Sequence, residues 1–251
     1  MAEPRVAWEP SRSAVIIVDM WDLNGLGHCR SATGRAEELA PPINRTVAAL
    51  RQEGAFIIHA PSDCMDAYRE YPARTCALHA PHHAAPETFE WNWPDAAREP
   101  LVPELILSWG DWVDRNDRCS CEPGSPSCIT EAPRPWTRQN LAIEVRPEDA
   151  LTDVGQEVFN LLEERDIQDV LLMGVHANVC VLSRDFGIRQ LVRLGKRPIL
   201  CRDLTDSFHR HPAGHSVGNR VVVEHIERYW CPTVTSAELV GGEPFRFSDD
   251  R

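Results

Sequence analysis

The chain has 251 residues, of which 43% are hydrophobic and 25% charged, and it carries a formal net charge of −12 at pH 7. That length suits one large α/β domain or two small ones, and the composition is that of an ordinary globular protein. The acidic excess argues against nucleic acid, which wants a basic face. No apolar stretch is long enough to span a bilayer, and Met1–Ser13 holds no apolar run of the kind a secretory leader needs, so no membrane partner and a cytoplasmic location are expected.

In chain order, Ala14–Val18 is a continuous apolar run, the pattern of a strand buried on both faces of a parallel sheet, and it ends at Asp19. Glu37–Glu53 reads as a helix with Leu39, Ile43, Val47 and Leu50 on its apolar face and Gly54 behind it. Ala55–His59 is a second strand and Leu141–Val145 a third, more amphipathic one. Val154–Arg165 reads as a helix, Val170–Met173 as the fourth strand, and Cys180–Leu194 as a helix closed by Gly195. Pro198–Cys201 is the fifth strand, Val217–Tyr229 the last helix, and Thr233–Thr235 a short sixth strand. Strands alternating with helices predict an α/β fold with a doubly wound, mostly parallel sheet of about six strands and helices on both faces.

Such sheets bind ligands at the carboxyl ends of their strands. Asp19, His59, Asp203 and the turn Gly174–Cys180 all fall there. The turn is the most informative stretch. A cysteine at or near a helix start meets unpaired N–H groups and a partial positive charge, which lower a thiol's pKa and can hold an oxyanion. The other use of such a cysteine is as a small buried apolar side chain. A thiolate nucleophile would alkylate well below pH 8.5.

Three segments resemble the isochorismatase-like cysteine hydrolases, a family that includes nicotinamidases and N-carbamoylsarcosine amidohydrolases. Ala14–Trp21 resembles the opening strand with its aspartate, Gly174–Val181 the nucleophile turn, and Gly195–Asp203 the following strand and aspartate. The resemblance covers residues 10–60 and 141–236. It implies Cys180 as nucleophile, Asp19 as its base, and a cis peptide at His176–Ala177 that shapes an oxyanion pocket with Cys180. It further implies hydrolysis of a non-peptide C–N bond in a small amide, ureide or carbamoyl compound through a thioester, with no cofactor required. The family usually has threonine where this chain has Ala177. The family's lysine lies just after the third strand; at Val145–Glu148 this chain has Arg146 instead, and Lys196, its only lysine, precedes strand five. Arg146 is therefore the candidate cation. The alternative is a small-molecule-binding protein of the same fold that lost catalysis with the lysine. A homo-oligomer is expected.

Pro61–Asn140 breaks the rhythm. It holds more than half of the prolines, five of the eight tryptophans and five of the nine cysteines. A connection this long is usually functional, and it reads as an insertion over the strand ends of a single domain spanning 1–251. Trp21, Trp91, Trp93 and Trp136, with His59, are candidates for lining a substrate pocket. Cys119, Cys121 and Cys128 form a C-x-C-x6-C cluster that could hold a structural zinc, although the spacing is not that of a zinc finger.

Overall fold

The structure, a computed structural model, describes residues 8–22, 30–100, 102, 136–207 and 215–248. Among them six strands form one all-parallel open sheet: β1 (Ser13–Val18), β2 (Phe56–Ala60), β3 (Ala150–Leu151), β4 (Asp169–Val175), β5 (Arg197–Asp206) and β6 (Thr233–Val234), in the order β3-β2-β1-β4-β5-β6. β1 lies at the centre because every one of its six residues is buried, as its unbroken apolar sequence requires. The helices are α1 (Arg30–Gln52), α2 (Pro72–His79), α3 (Gly155–Glu164), α4 (Ile188–Arg193), α5 (His215–Tyr229) and α6 (Ser236–Val240). None of the described helices is long and apolar enough to cross a membrane.

The period-two pleat of the strands sends alternate residues to two cores. Ala14, Ile16 and Val18 pack with Ala73 and Ala77 of α2, Leu161 and Leu162 of α3, Ile188 and Leu191 of α4, and Val222 and Ile226 of α5. Val15 and Ile17 pack on the other face with Leu39, Ile43, Val47 and Leu50 of α1. The helical period read from those four α1 residues is thus the period of a buried face.

Two sequence expectations are corrected. Leu141–Val145 is not a strand; Leu141 is 73% exposed, and Ile143 alone of this stretch is buried. The third strand is Ala150–Leu151, paired with Ile58 and His59 of β2. Two residues suffice for an edge strand, and two residues leave no period to read. The helix expected over Cys180–Leu194 is broken: a π-helical turn, Ala177–Val181, precedes α4, with a non-helical stretch around Arg184–Gly187. Here Asp185 accepts a hydrogen bond from the Gly155 N–H at 2.9 Å, and its carbonyl oxygen lies 2.2 Å from where a Cβ on Gly155 would be. That contact leaves room for no side chain at the start of α3 and pulls residue 185 out of the helical path.

Candidate active site

The strand order places the site. Connections leave β1 toward β2 on one side and β4 toward β5 on the other, so the crevice beyond the carboxyl ends of β1 and β4 is a topological switch point. β4 approaches β1 through Gly174, whose φ is +115° and where a Cβ would stand 2.1 Å from the Val18 carbonyl oxygen. Only glycine fits, and the result is that the residues after both strands emerge side by side.

Asp19 follows β1 directly. Its backbone is left-handed, with φ of 48°, a conformation aspartate tolerates better than most residues. Its N–H donates to the Ala60 carbonyl at 3.0 Å, and its Oδ1 accepts from the Ser62 N–H at 2.7 Å. The carboxylate also interacts with the Cys180 thiol and with Arg184, whose Nε lies 3.6 Å from Oδ2. Asp19 is fully buried, and burial pushes its pKa up, while Arg184, the thiol and the Ser62 N–H oppose that rise.

Cys180 lies inside the π-helical turn and is 2% exposed. Burial first, and the Asp19 charge second, push the thiol well above its ordinary range, with Arg184 acting in the other direction. The expectation of a low-pKa thiolate is therefore corrected: the resting group is a thiol beside a carboxylate. The turn's helical dipole is one short turn long, and desolvation outweighs it. The cis peptide is Val175–His176, not His176–Ala177, since Ala177 already belongs to the helical turn. The N–H groups of Val179 and Val181 both donate to the His176 carbonyl, at 3.0 and 3.1 Å.

Arg146 is not at the site. It is exposed, pairs with Glu144 at 3.1 Å, and its N–H donates to Asp149. With β3 moved to Ala150–Leu151, the positions just after it are Thr152 and Asp153, and Asp153 accepts from the Asp63 N–H at 2.8 Å. A carboxylate stands where a cation was expected. The cation is Arg184, one turn beyond the cysteine, with its N–H donating to the Cys180 carbonyl at 3.0 Å. Its Nη2 lies 3.8 Å from Asp63, and its guanidinium carbon is 5.7 Å from the centre of the Trp91 ring. Burial pushes its pKa down, but Asp19, Cys180 and Asp63 together carry it above the ordinary arginine range. Sequence reasoning passed over Arg184; the available signal was the spacing Cys180-x3-Arg184, which places two side chains on one face of a helical turn.

The proposed pocket residues divide. Trp91 reaches the site through Arg184, whereas Trp93 is 52% exposed. Trp21 is buried, donates its indole N–H to the Ser62 carbonyl at 2.9 Å and stacks on Trp136 at 4.2 Å. It fixes the loop that holds Asp19. His59 is fully buried and both ring nitrogens are engaged, Nδ1 by the Gln139 side chain and Nε2 by Asp149 at 3.0 Å. That corrects its assignment as a substrate ligand: it ties β2 to the residue before β3. Asp203 accepts from Ser236 and from the Phe245 N–H, which secures α6.

The insertion returns to this edge. Gln139 bridges Trp21, the Asn140 N–H donates to the Met20 carbonyl, and Asp22 accepts from Thr137 and from the Arg138 N–H. Cys119, Cys121 and Cys128 lie outside the described residues. Among those that are described, no group of three or more His, Cys, Asp or Glu could hold a metal ion.

No family model and no curated protein matches the sequence. Solved structures do match by shape. A cysteine hydrolase from Pseudomonas syringae pv. phaseolicola 1448A superposes with a TM-score of 0.56 at 17% identity, over 96% of this chain and 97% of that one. An isochorismatase from Pseudomonas putida KT2440 gives 0.54 at 13%, over 95% of each. An isochorismatase family protein from Burkholderia thailandensis gives 0.50 at 15%, over 92% and 95%. The sheet order, the two-faced core and these superpositions together say that the chain has the isochorismatase-like α/β fold.

Proposed function

We propose that the chain is a cysteine hydrolase of a non-peptide C–N bond in a small amide, ureide or carbamoyl compound. The observation that carries this is that the buried Cys180 thiol and the buried Asp19 carboxylate come together at the switch point of the sheet, close enough for each to shift the other's pKa. A carboxylate whose pKa is raised is a better proton acceptor than an exposed one, and a thiol held protonated needs one. The likeness of the fold to a protein described as a cysteine hydrolase supports the same reading.

The steps follow from that pair. As a carbonyl carbon approaches, the thiol proton passes to Asp19 and the C–S bond forms. The carbonyl oxygen becomes an oxyanion received by the N–H groups of Ala177 and Cys180. The C–N bond breaks, and the leaving nitrogen takes the proton from Asp19. A water then gives its proton back to Asp19 and attacks the thioester, and the departing sulfur recovers that proton. One water is consumed, and an acid and an amine or ammonia are released. Asp19 acts as base and acid in turn, which suits a fully buried carboxylate beside the thiol.

The test is a panel of small amides, ureides and carbamoyl compounds, with release of ammonia or amine as the readout. Cys180→Ala and Asp19→Asn should each lower turnover by about a thousandfold or more, as happens where nucleophile and base act as a unit. Mass spectrometry of the quenched wild-type reaction should show the acyl group on Cys180. Hydrolysis that survives Cys180→Ala would end this reading.

A further inference from the structure

We infer that Arg184 is the fixed positive charge of this site, a catalytic residue that stabilises the Cys180 thiolate as its proton passes to Asp19, and that Asp63 and Trp91 position its guanidinium. The inference rests on Cys180 being the nucleophile. Its geometric basis is separate. Arg184 follows Cys180 by one turn and bonds its carbonyl through the backbone N–H at 3.0 Å, its Nε is 3.6 Å from Asp19, and its Nη2 is 3.8 Å from Asp63.

A guanidinium placed between acid and thiol does two things. Before reaction it opposes the rise that burial imposes on the Asp19 pKa and so favours the charged form. During proton transfer the negative charge moves from the carboxylate to the sulfur, and both lie within reach of the same cation. The charge is displaced without leaving its counter-ion, so little reorganisation is needed. A purely structural role, clamping Asp19 to Asp63, would leave the reactivity of the sulfur unchanged when the charge is removed.

Arginine also constrains the proton inventory. Its pKa is too high for it to release a proton at working pH. Every proton in the cycle must therefore pass through Asp19. Two neighbours aim the guanidinium. Asp63, held in the left-handed region at φ of 65° with its N–H on Asp153, faces one end of it, and Trp91 lies across it at 5.7 Å. The Asp153 carboxylate just after β3 is thus part of the same arrangement, through Asp63.

The test needs no substrate. The full-length protein is treated with iodoacetamide at about pH 8.5, where the thiolate is a minor species and the rate reports its population. Modification of Cys180 is followed by mass spectrometry. Arg184→Met should slow it about tenfold or more, the equivalent of about one unit in the thiol's pKa. Arg184→Lys, which keeps the charge, should recover the rate to within about threefold of wild type. Asp63→Asn should slow it severalfold, because the guanidinium loses one of the two groups that aim it. A native near-UV spectrum with an Arg184→Met rate within about twofold of wild type overturns the inference. If Arg184→Met does not fold, the Asp63→Asn rate decides: slower supports the inference, unchanged or faster overturns it. Failure of the hydrolase reading would show differently, as no product from any compound in the panel.

Discussion

Glu99 is 2% exposed, and four side-chain donors converge on its two oxygens, Arg189 through Nε and Nη2, His225 through Nε2 at 2.6 Å, and the Trp230 indole N–H at 2.9 Å, beside the Asp95 backbone N–H at 3.1 Å. Arg189 is 1% exposed and further bonded to the Asn92 carbonyl and the Ser183 hydroxyl. This cluster ties the insertion to α4 and α5, within eight residues of Trp91. Burial works to raise the Glu99 pKa, but the bonds from His225, Arg189 and Trp230 outweigh it and bring the group from 4.5 down to about 2. At 1.36 kcal/mol per unit, the depression corresponds to about 3 kcal/mol of stability. Because the folded pKa is the lower one, that stability is fully present above about 4.5 and is lost as the pH falls toward about 2.

Glu99→Gln keeps the size and removes the charge. The amide has one acceptor oxygen, so its NH2 must face at least one of the four donors, and Arg189 is left buried without its counter-ion. Breaking a buried pair from one side costs about 3–5 kcal/mol. Urea denaturation at pH 7 should show a loss in that range. The difference between wild type and variant should stay flat from about pH 7 to pH 5 and shrink by about 3 kcal/mol on going to about pH 2. A difference below about 1 kcal/mol at neutral pH, or one that does not change with acid, would refute the reasoning.

Other outcomes follow from the same geometry. Gly174→Ala drives a Cβ into the Val18 carbonyl and forces a side chain onto a left-handed backbone, so it should cost more than about 3 kcal/mol by thermal denaturation or yield no folded protein. Asp203→Ala releases Ser236 and the Phe245 N–H; it should cost about 1–3 kcal/mol while Cys180 alkylation is unchanged. Wild-type Cys180 should react slowly with iodoacetamide at pH 7 and speed up only above its ordinary thiol range, and rapid labelling at pH 7 would contradict its burial beside Asp19. Arg146→Ala should leave that labelling unaltered, since Arg146 is exposed and paired with Glu144.

What was legible in the sequence was whatever a buried surface writes as a period. β1, β4 and the apolar face of α1 read directly, because each residue's exposure is set by its neighbours along the chain. The edge strand β3 did not, since two residues carry no period, and the amphipathic stretch 141–145 offered a better-looking pattern for a position it does not hold. The pair Asp19 and Cys180 was legible because both end strands that the parallel topology makes neighbours. Arg184 was not legible as a site residue. It is one of many arginines, and only the break after residue 183 and the approach of Asp63 and Trp91 separate it from those on the surface. His59 misled for the opposite reason: a histidine at a strand end looks free in sequence, and its partners Gln139 and Asp149 lie 80 and 90 residues away.

The place of the cation has a structural logic. A cation after β3 would be held only by the packing of that strand, which is two residues long at the edge of the sheet. Arg184 lies one turn beyond the cysteine, so Cys180 and Arg184 are fixed by one backbone segment, joined by the bond from the Arg184 N–H to the Cys180 carbonyl. The position after β3 is then free to carry Asp153, which orders Asp63, which in turn faces Arg184. The planar fork of arginine suits this placement better than an ammonium, because it can meet two carboxylates through two different nitrogens while its guanidinium lies near an indole. Asp153, Asp63 and Arg184 are therefore parts of one linked arrangement, and a single substitution at Asp63 should be felt at the sulfur.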